Sequence, residues 1–259
     1  MNQQERCLWL IRELLKDMPQ YRDTPVPAFP DRRWQLLRSL MNVRPPMPVT
    51  EDFCQVQDAF LQQMIQEKGI VAAETLLPCP KDERLVLWQG DITTLRCDAI
   101  VNAANSQMLG CFSPCHGCID NIIHTMAGVQ LRLACDEQMQ AQGHEEPTGQ
   151  AKITPGFNLP ARFVLHTVGP IIDDEVTEED ELLLASCYRS CLTLAVENGC
   201  ESIAFCCIST GVFRFPADRA AKIAVRTVKD FLSQESGIRR VIFNVFKDSD
   251  LEIYRRLLT

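Results

Sequence analysis

Residues 109–120 read LGCFSPCHGCID and place Cys111, Cys115, His116 and Cys118 within eight positions. Thiolate and imidazole donors select zinc over magnesium or calcium. Cys115 and His116 are adjacent, and neighbouring side chains rarely point at one ion. Cys111, His116 and Cys118 remain, with spacers of four and one residues. Three protein ligands make an open site whose fourth position takes water or substrate; all four would make a closed, structural one. The same stretch also reads as buried thiols, or as a phosphate-binding glycine loop broken by an insertion.

Three further loops carry groups suited to a ligand. In Gly90-Asp91-Ile92, a carboxylate just past a strand end can accept hydrogen bonds from an amino group on a ligand, or can simply cap a turn. The run NAANS holds Asn102 and Asn105, whose amides suit sugar hydroxyls; Asn also favours turns for its own sake. Ser209, Thr210, Gly211, Val212 and Phe213 precede a helix expected near Pro216. Successive backbone N–H groups in such a turn can cradle an anion.

The elements that must position these loops are legible from periodicity. RLVLWQG, DAIVNAA, RFVLHTV, SIAFCCIS and RVIFNVF read as strands. Helical patterns lie between and after them, at roughly 119–142, 178–198, 216–234 and 248–258. The alternation predicts an α/β fold with a mostly parallel sheet, whose ligands bind at the carboxyl ends of strands. Residues 1–80 differ: ERCLWLIRELL, DRRWQLLRSLM and TEDFCQVQDAFLQQMIQEKG predict amphipathic helices, the third capped by Thr50. Pro-rich links separate them, and LPCPKDE at 77–83 reads as a hinge, so a helical extension over 1–80 precedes a domain over 81–259.

The chain has 259 residues, 46% hydrophobic and 23% charged, enough for a sizeable core. A net charge of −8 argues against a nucleic-acid partner. No apolar run spans a membrane, and the N-terminus is an amphipathic helix rather than a signal peptide, so a cytoplasmic location is expected. In a reducing compartment the 13 cysteines read as thiols or metal ligands rather than disulfides. Cys7, Cys54, Cys187, Cys191, Cys200, Cys206 and Cys207 read as small core hydrophobes.

Taken in order, GDI, NAAN, the stretch GxIDNxIHxxAG, ITPGFNLPARFVLHTVGP and CISTGVFRFP resemble the macrodomain family of ADP-ribose-binding proteins, and within it the MacroD-type hydrolases. The likeness covers roughly 84–259. It implies a three-layer α/β/α macrodomain with a mixed, mostly parallel central sheet, and ADP-ribose lying across the carboxyl edge. Carried over by position, Asp91 holds the adenine amino group and Ile92 lines its pocket. Asn105 reaches the distal ribose as a catalytic-site residue, with Asn102 near it. Ser209 to Phe213 wrap the diphosphate, and Phe246 is a candidate for stacking on adenine. Asp120 matches the catalytic-loop aspartate, to orient a water or act as base, unless it caps the following helix. His124, His166 and His144 read as structural or solvated.

The departure is the insertion CFSPCHGC in the glycine run. With it the chain is similar to the zinc-dependent macrodomains, a class associated with sirtuin-type ADP-ribosyltransferases. That resemblance implies one zinc ion at the distal ribose, held by Cys111, His116 and Cys118. It further implies hydrolysis of mono-ADP-ribose from proteins, with a lipoyl-carrier protein as target. The alternatives are a non-catalytic ADP-ribose reader and a hydrolase of free derivatives such as O-acetyl-ADP-ribose.

Overall fold

The computed structural model describes residues 1–234 and 236–259. Three helices come first: α1 (Gln3–Asp17), α2 (Pro30–Val43) and α3 (Glu51–Lys68). Asn2 and Glu5 form a capping box on α1, and Thr50 Oγ1 accepts from Phe53 N at the start of α3. Their apolar stripes meet in a cluster of Leu10, Ile11, Leu14, Leu37, Leu40, Phe53, Phe60 and Leu61.

Among the described residues nine strands follow: β1 (Val71–Ala72), β2 (Pro78–Cys79), β3 (Asp82–Gln89), β4 (Leu95–Arg96), β5 (Ala99–Ala104), β6 (Ala151–Pro155), β7 (Phe163–Val168), β8 (Ser202–Phe205) and β9 (Arg240–Val245). Seven of them build one sheet in the order β2-β3-β9-β8-β5-β7-β6. The five predicted strands form its parallel centre. The edge strands β2 and β6 run antiparallel to their neighbours, so the sheet is mixed.

The later helices are α4 (Ile119–Ala127), α5 (Val129–Gln142), α6 (Glu178–Glu197), α7 (Ala217–Leu232) and α8 (Asp248–Leu258). Side chains alternate along a strand, and the alternation sorts the helices onto two faces. Asn102 and His166, paired across β5 and β7, reach Asp120 of α4 and Cys135 of α5. Thr167 points the other way, towards Cys187 and Cys191 of α6. Helices α7 and α8 continue the α6 layer.

Two expectations need correction. The stretch 77–83 is not a hinge but a tight antiparallel hairpin, β2 to β3. The sheet therefore begins inside the expected 1–80 extension, and β1 also pairs with β4. The helical pattern over 119–142 is two helices, because Gly128 adopts φ +97 and a Cβ there would meet the Gln57 amide at 2.5 Å. The extension and the sheet domain also share their packing: Val129 of α5 joins the N-terminal cluster, and Ile65 of α3 joins the main core. Among the described residues, no helix is long and apolar enough to cross a membrane.

Candidate functional site

The carboxyl ends of β3, β5, β8 and β9 open into one cleft of about 900 Å³, a volume typical of cofactor sites. Its walls include Asp91, Ile92, Asn105, the 209–213 loop, Phe246, and Cys111, His116, Cys118 and Asp120. The sequence-predicted groups thus converge, with the exception of Asn102.

The central part of the cleft is a backbone cradle. Ser209 is held at φ +64, and Gly169 lies so close that a Cβ there would come within 2.0 Å of Ser209 Oγ. Ile172 N donates to Phe213 O at 2.9 Å, joining the turn after β7 to the loop after β8. The N–H groups of Gly211, Val212 and Phe213 donate to no protein acceptor among the described residues. Three free donors near a helix start suit an anion. Pro216 serves as N-cap of α7, one position before the helix proper.

At one end, Asp91 takes the turn-capping role offered for it, and its carboxylate also lines the cleft. Its Oδ1 accepts from Thr93 N and Oγ1, capping a single 3-10 turn at Ile92–Thr94. Its Oδ2 accepts from Lys68 Nζ at 2.9 Å. Burial opposes ionisation, but the Thr93 and Lys68 contacts hold the carboxyl below its ordinary value. Phe246 stands 78% exposed at the cleft rim rather than in the core.

At the other end is the Cys/His loop. The ligand atoms of Cys111, His116 and Cys118 all lie within 4.8 Å of one another, and Cys111 Sγ is 3.7 Å from His116 Nδ1. A tetrahedral zinc with bonds of about 2.3 Å to sulfur and about 2.05 Å to nitrogen sets such an edge near 3.5 Å. The three donors therefore fit a zinc ion with one position left over. Cys115 is turned away: its Sγ lies 3.3 Å from Ser39 Oγ and donates to Gln35 O. Cys118 Sγ also caps α4 by accepting from Asn121 N. Burial, more than its neighbours, pushes the Cys118 thiol up to about 11.

Asp120 is therefore not the helix cap; Cys118 occupies that position, and the carboxyl lines the cleft. Asp120 Oδ1 accepts from Asn102 Nδ2 at 2.8 Å and lies 3.5 Å from His124 Nε2. Burial pushes it up to about 6, against the hydrogen bond from Asn102 and the charge of Arg132. Asn102 itself is fully buried and absent from the cleft wall; it orients Asp120 and contacts His166 Nδ1 at 3.1 Å. Asn105 lines the cleft, with Oδ1 accepting from Gln107 N and Nδ2 donating to Gly110 O.

His124, Cys135 and His166 also converge, but all three are buried and none lines the cleft. Burial first, then His166 and Arg132, holds His124 well below its ordinary pKa. Burial alone brings His166 to about 3. Both are neutral, in line with a structural role. His144 is an exposed loop residue. Of the cysteines read as core, Cys54 and Cys207 are half-buried and the other five are buried; Cys206 and Cys207 contact the cleft.

Sequence reasoning missed several residues. Asn244, at the end of β9, and Lys247 and Asp250 beyond it line the cleft, and the strand-end rule that singled out Phe246 reaches them too. Lys68 and Arg132 carry no local signal, because only tertiary packing brings them to the site.

A model of the Macro domain family matches residues 101–224. The chain is 54% identical over 261 residues to a Treponema medium protein named "Protein-ADP-ribose hydrolase", with 100% of both chains covered. It is 48% identical to a protein of the same name from Staphylococcus aureus strain MSSA476, covering 96% of this chain and 94% of that one. It also resembles the Trypanosoma brucei macrodomain solved in complex with ADP-ribose, with a TM-score of 0.67 and 31% identity. That match covers 86% of this chain and 95% of the other.

Proposed function

Because this chain belongs to the Macro domain family, we propose that it is a protein-ADP-ribose hydrolase, and that it works with one zinc ion held by Cys111, His116 and Cys118. Its substrate is a mono-ADP-ribosylated protein, and the bond cleaved is at the anomeric carbon of the distal ribose. The observation that carries this is the convergence of the three donors and Asp120 at one end of a cleft whose middle is an anion cradle.

The chain's own groups divide the work along the cleft. Asp91 accepts from the adenine amino group, Ile92 lines the adenine pocket and Phe246 stacks on the ring. The N–H groups of the 209–213 loop bind the diphosphate, and the distal ribose then falls beside Asn105 and Asp120. Cleavage of such a bond passes through an oxocarbenium-like transition state. Asp120, oriented by Asn102 and with its pKa raised to about 6, can position a water and take its proton near neutral pH. Zinc, when bound, would supply Lewis acidity toward an oxygen of that sugar. A lipoyl-carrier protein, modified by a sirtuin-type transferase, is the target that the resemblance of the Cys/His insertion supports.

The test is metal content together with release of ADP-ribose from a mono-ADP-ribosylated protein. Wild type should hold one zinc and turn over; Cys118→Ala and His116→Ala should lose both properties. Full activity in zinc-free protein overturns the metal assignment. Binding of ADP-ribose without turnover of any modified protein makes the chain a reader instead.

A further inference from the structure

We propose that Arg38 and Asn42, on helix α2 of the N-terminal segment, are positioning residues for the Cys/His loop and set its affinity for the metal. The inference rests on the zinc assignment above.

Between Gly110 and Cys118 the chain forms no helix or strand. Within that stretch, the one backbone–backbone hydrogen bond among the described residues is His116 N to Ser113 O, at 3.2 Å. Its shape is therefore imposed from outside. Arg38 Nη2 donates to His116 O and to Asn121 Oδ1, both at 2.7 Å. Asn121 Nδ2 in turn donates to Ser113 O at 2.9 Å and Cys111 O at 3.3 Å. One guanidinium thus fixes the backbone of His116 directly and that of Cys111 through a single amide.

Asn42 does the complementary task. Its Oδ1 accepts from Cys115 N at 2.9 Å, holding the loop's left-handed residue at φ +53. Its Nδ2 donates to Thr125 Oγ1, which fixes the direction of the amide. Cys115 then projects towards Gln35 and Ser39, leaving Cys111, His116 and Cys118 to face one another.

Helix α2 is itself tied to the site. Buried Arg132 of α5 donates to the carbonyls of Met41, Asn42 and Arg44 at the end of α2, and its Nε donates to Leu109 O. Its guanidinium also lies 4.2 Å from the centre of the Phe112 ring, inside the loop. The end of α2 and the entrance of the loop share one cation. Outer partners that orient metal ligands typically change affinity by about 10–100-fold. Lysine does not reproduce the arginine fork.

The experiment measures zinc affinity of the full chain, first stripped of metal, by competition with a chromophoric chelator. Wild type, Arg38→Ala and Arg38→Lys are compared, with ADP-ribose affinity and thermal midpoint measured alongside. Arg38→Ala should bind zinc about ten-fold or more weakly, with Arg38→Lys intermediate. ADP-ribose affinity should stay within about two-fold, because among the described residues α2 makes no hydrogen bond to the cradle or to the Asp91 turn, whereas a general loss of structure would weaken both ligands. Arg38→Lys keeps the charge and much of the length, so it carries the same expectation if the alanine variant fails to fold. Unchanged zinc affinity in both variants overturns the inference and leaves the zinc assignment standing. Wild type that takes up no zinc overturns the zinc assignment and the inference with it.

Discussion

The two ends of the cleft are built on opposite plans. The cradle at 209–213 and the Asp91 turn sit directly on strand ends of the parallel sheet, the cradle tied to the turn after β7 and the Asp91 turn closed on Thr93, with Lys68 of α3 donating to Asp91 from the N-terminal helices. The Cys/His loop has almost no structure of its own and takes its form from helices that precede the sheet in the chain. The anion cradle therefore comes with the sheet itself, whereas the Cys/His end, the proposed metal site, draws on a second structural unit. Substitutions should separate the two: those at one end should change affinity for ADP-ribose, and those at the other should change metal and turnover.

The largest expected effect is at the loop. Removing the proposed zinc ligand by Cys118→Ala should lower turnover by about 10³-fold, the equivalent of several kcal/mol of charge stabilisation. ADP-ribose affinity measured by calorimetry should hardly change. Parallel loss of both quantities would break the separation of the two ends.

Next comes Asp120→Asn, which keeps an acceptor for Asn102 but cannot take a proton. A fall in kcat of about 10²-fold or more is expected, with zinc content retained. A kcat equal to that of wild type would remove Asp120 from the chemistry.

At the sheet end, Gly169→Ala should cost about 1–3 kcal/mol by crowding, since its Cβ would collide with Ser209. Much of that cost should appear as weaker ADP-ribose binding, about ten-fold, with zinc content unchanged. Loss of zinc in this variant would show that the two ends are coupled.

The smallest effect is expected from Phe246→Ala. Loss of one stacking partner should weaken ADP-ribose binding by about 0.5–1.5 kcal/mol. Affinity equal to wild type would return Phe246 to the role of an exposed rim residue.

The same contrast explains what could be read in advance. Strand runs such as DAIVNAA and RFVLHTV signal themselves by local composition, and the loops that follow them inherit their positions from the sheet. Thr50 was legible as a cap because capping is local. The hairpin at 78–82 was not legible, because two prolines in a short run look like a linker until the partner strand is known. Asp120 was legible both as a catalytic-loop aspartate and as a cap; the Cys118 thiol takes the cap position and leaves the carboxylate facing the cleft. Lys68 on Asp91 and Arg38 on His116 join residues 23 and 78 positions apart, and nothing in either neighbourhood signals the other. The role proposed for helix α2 rests on contacts of that kind.

Arg132 has a consequence for protein engineering. Its side chain caps the end of one helix and holds the first carbonyl of the loop, so neither partner keeps its geometry without the other. Grafting LGCFSPCHGCID alone into a macrodomain that lacks such helices would leave His116 O and Cys115 N without the groups that hold them here. A transferable cassette therefore has to be discontinuous in sequence, drawing on residues 30–44 as well as residues 109–132.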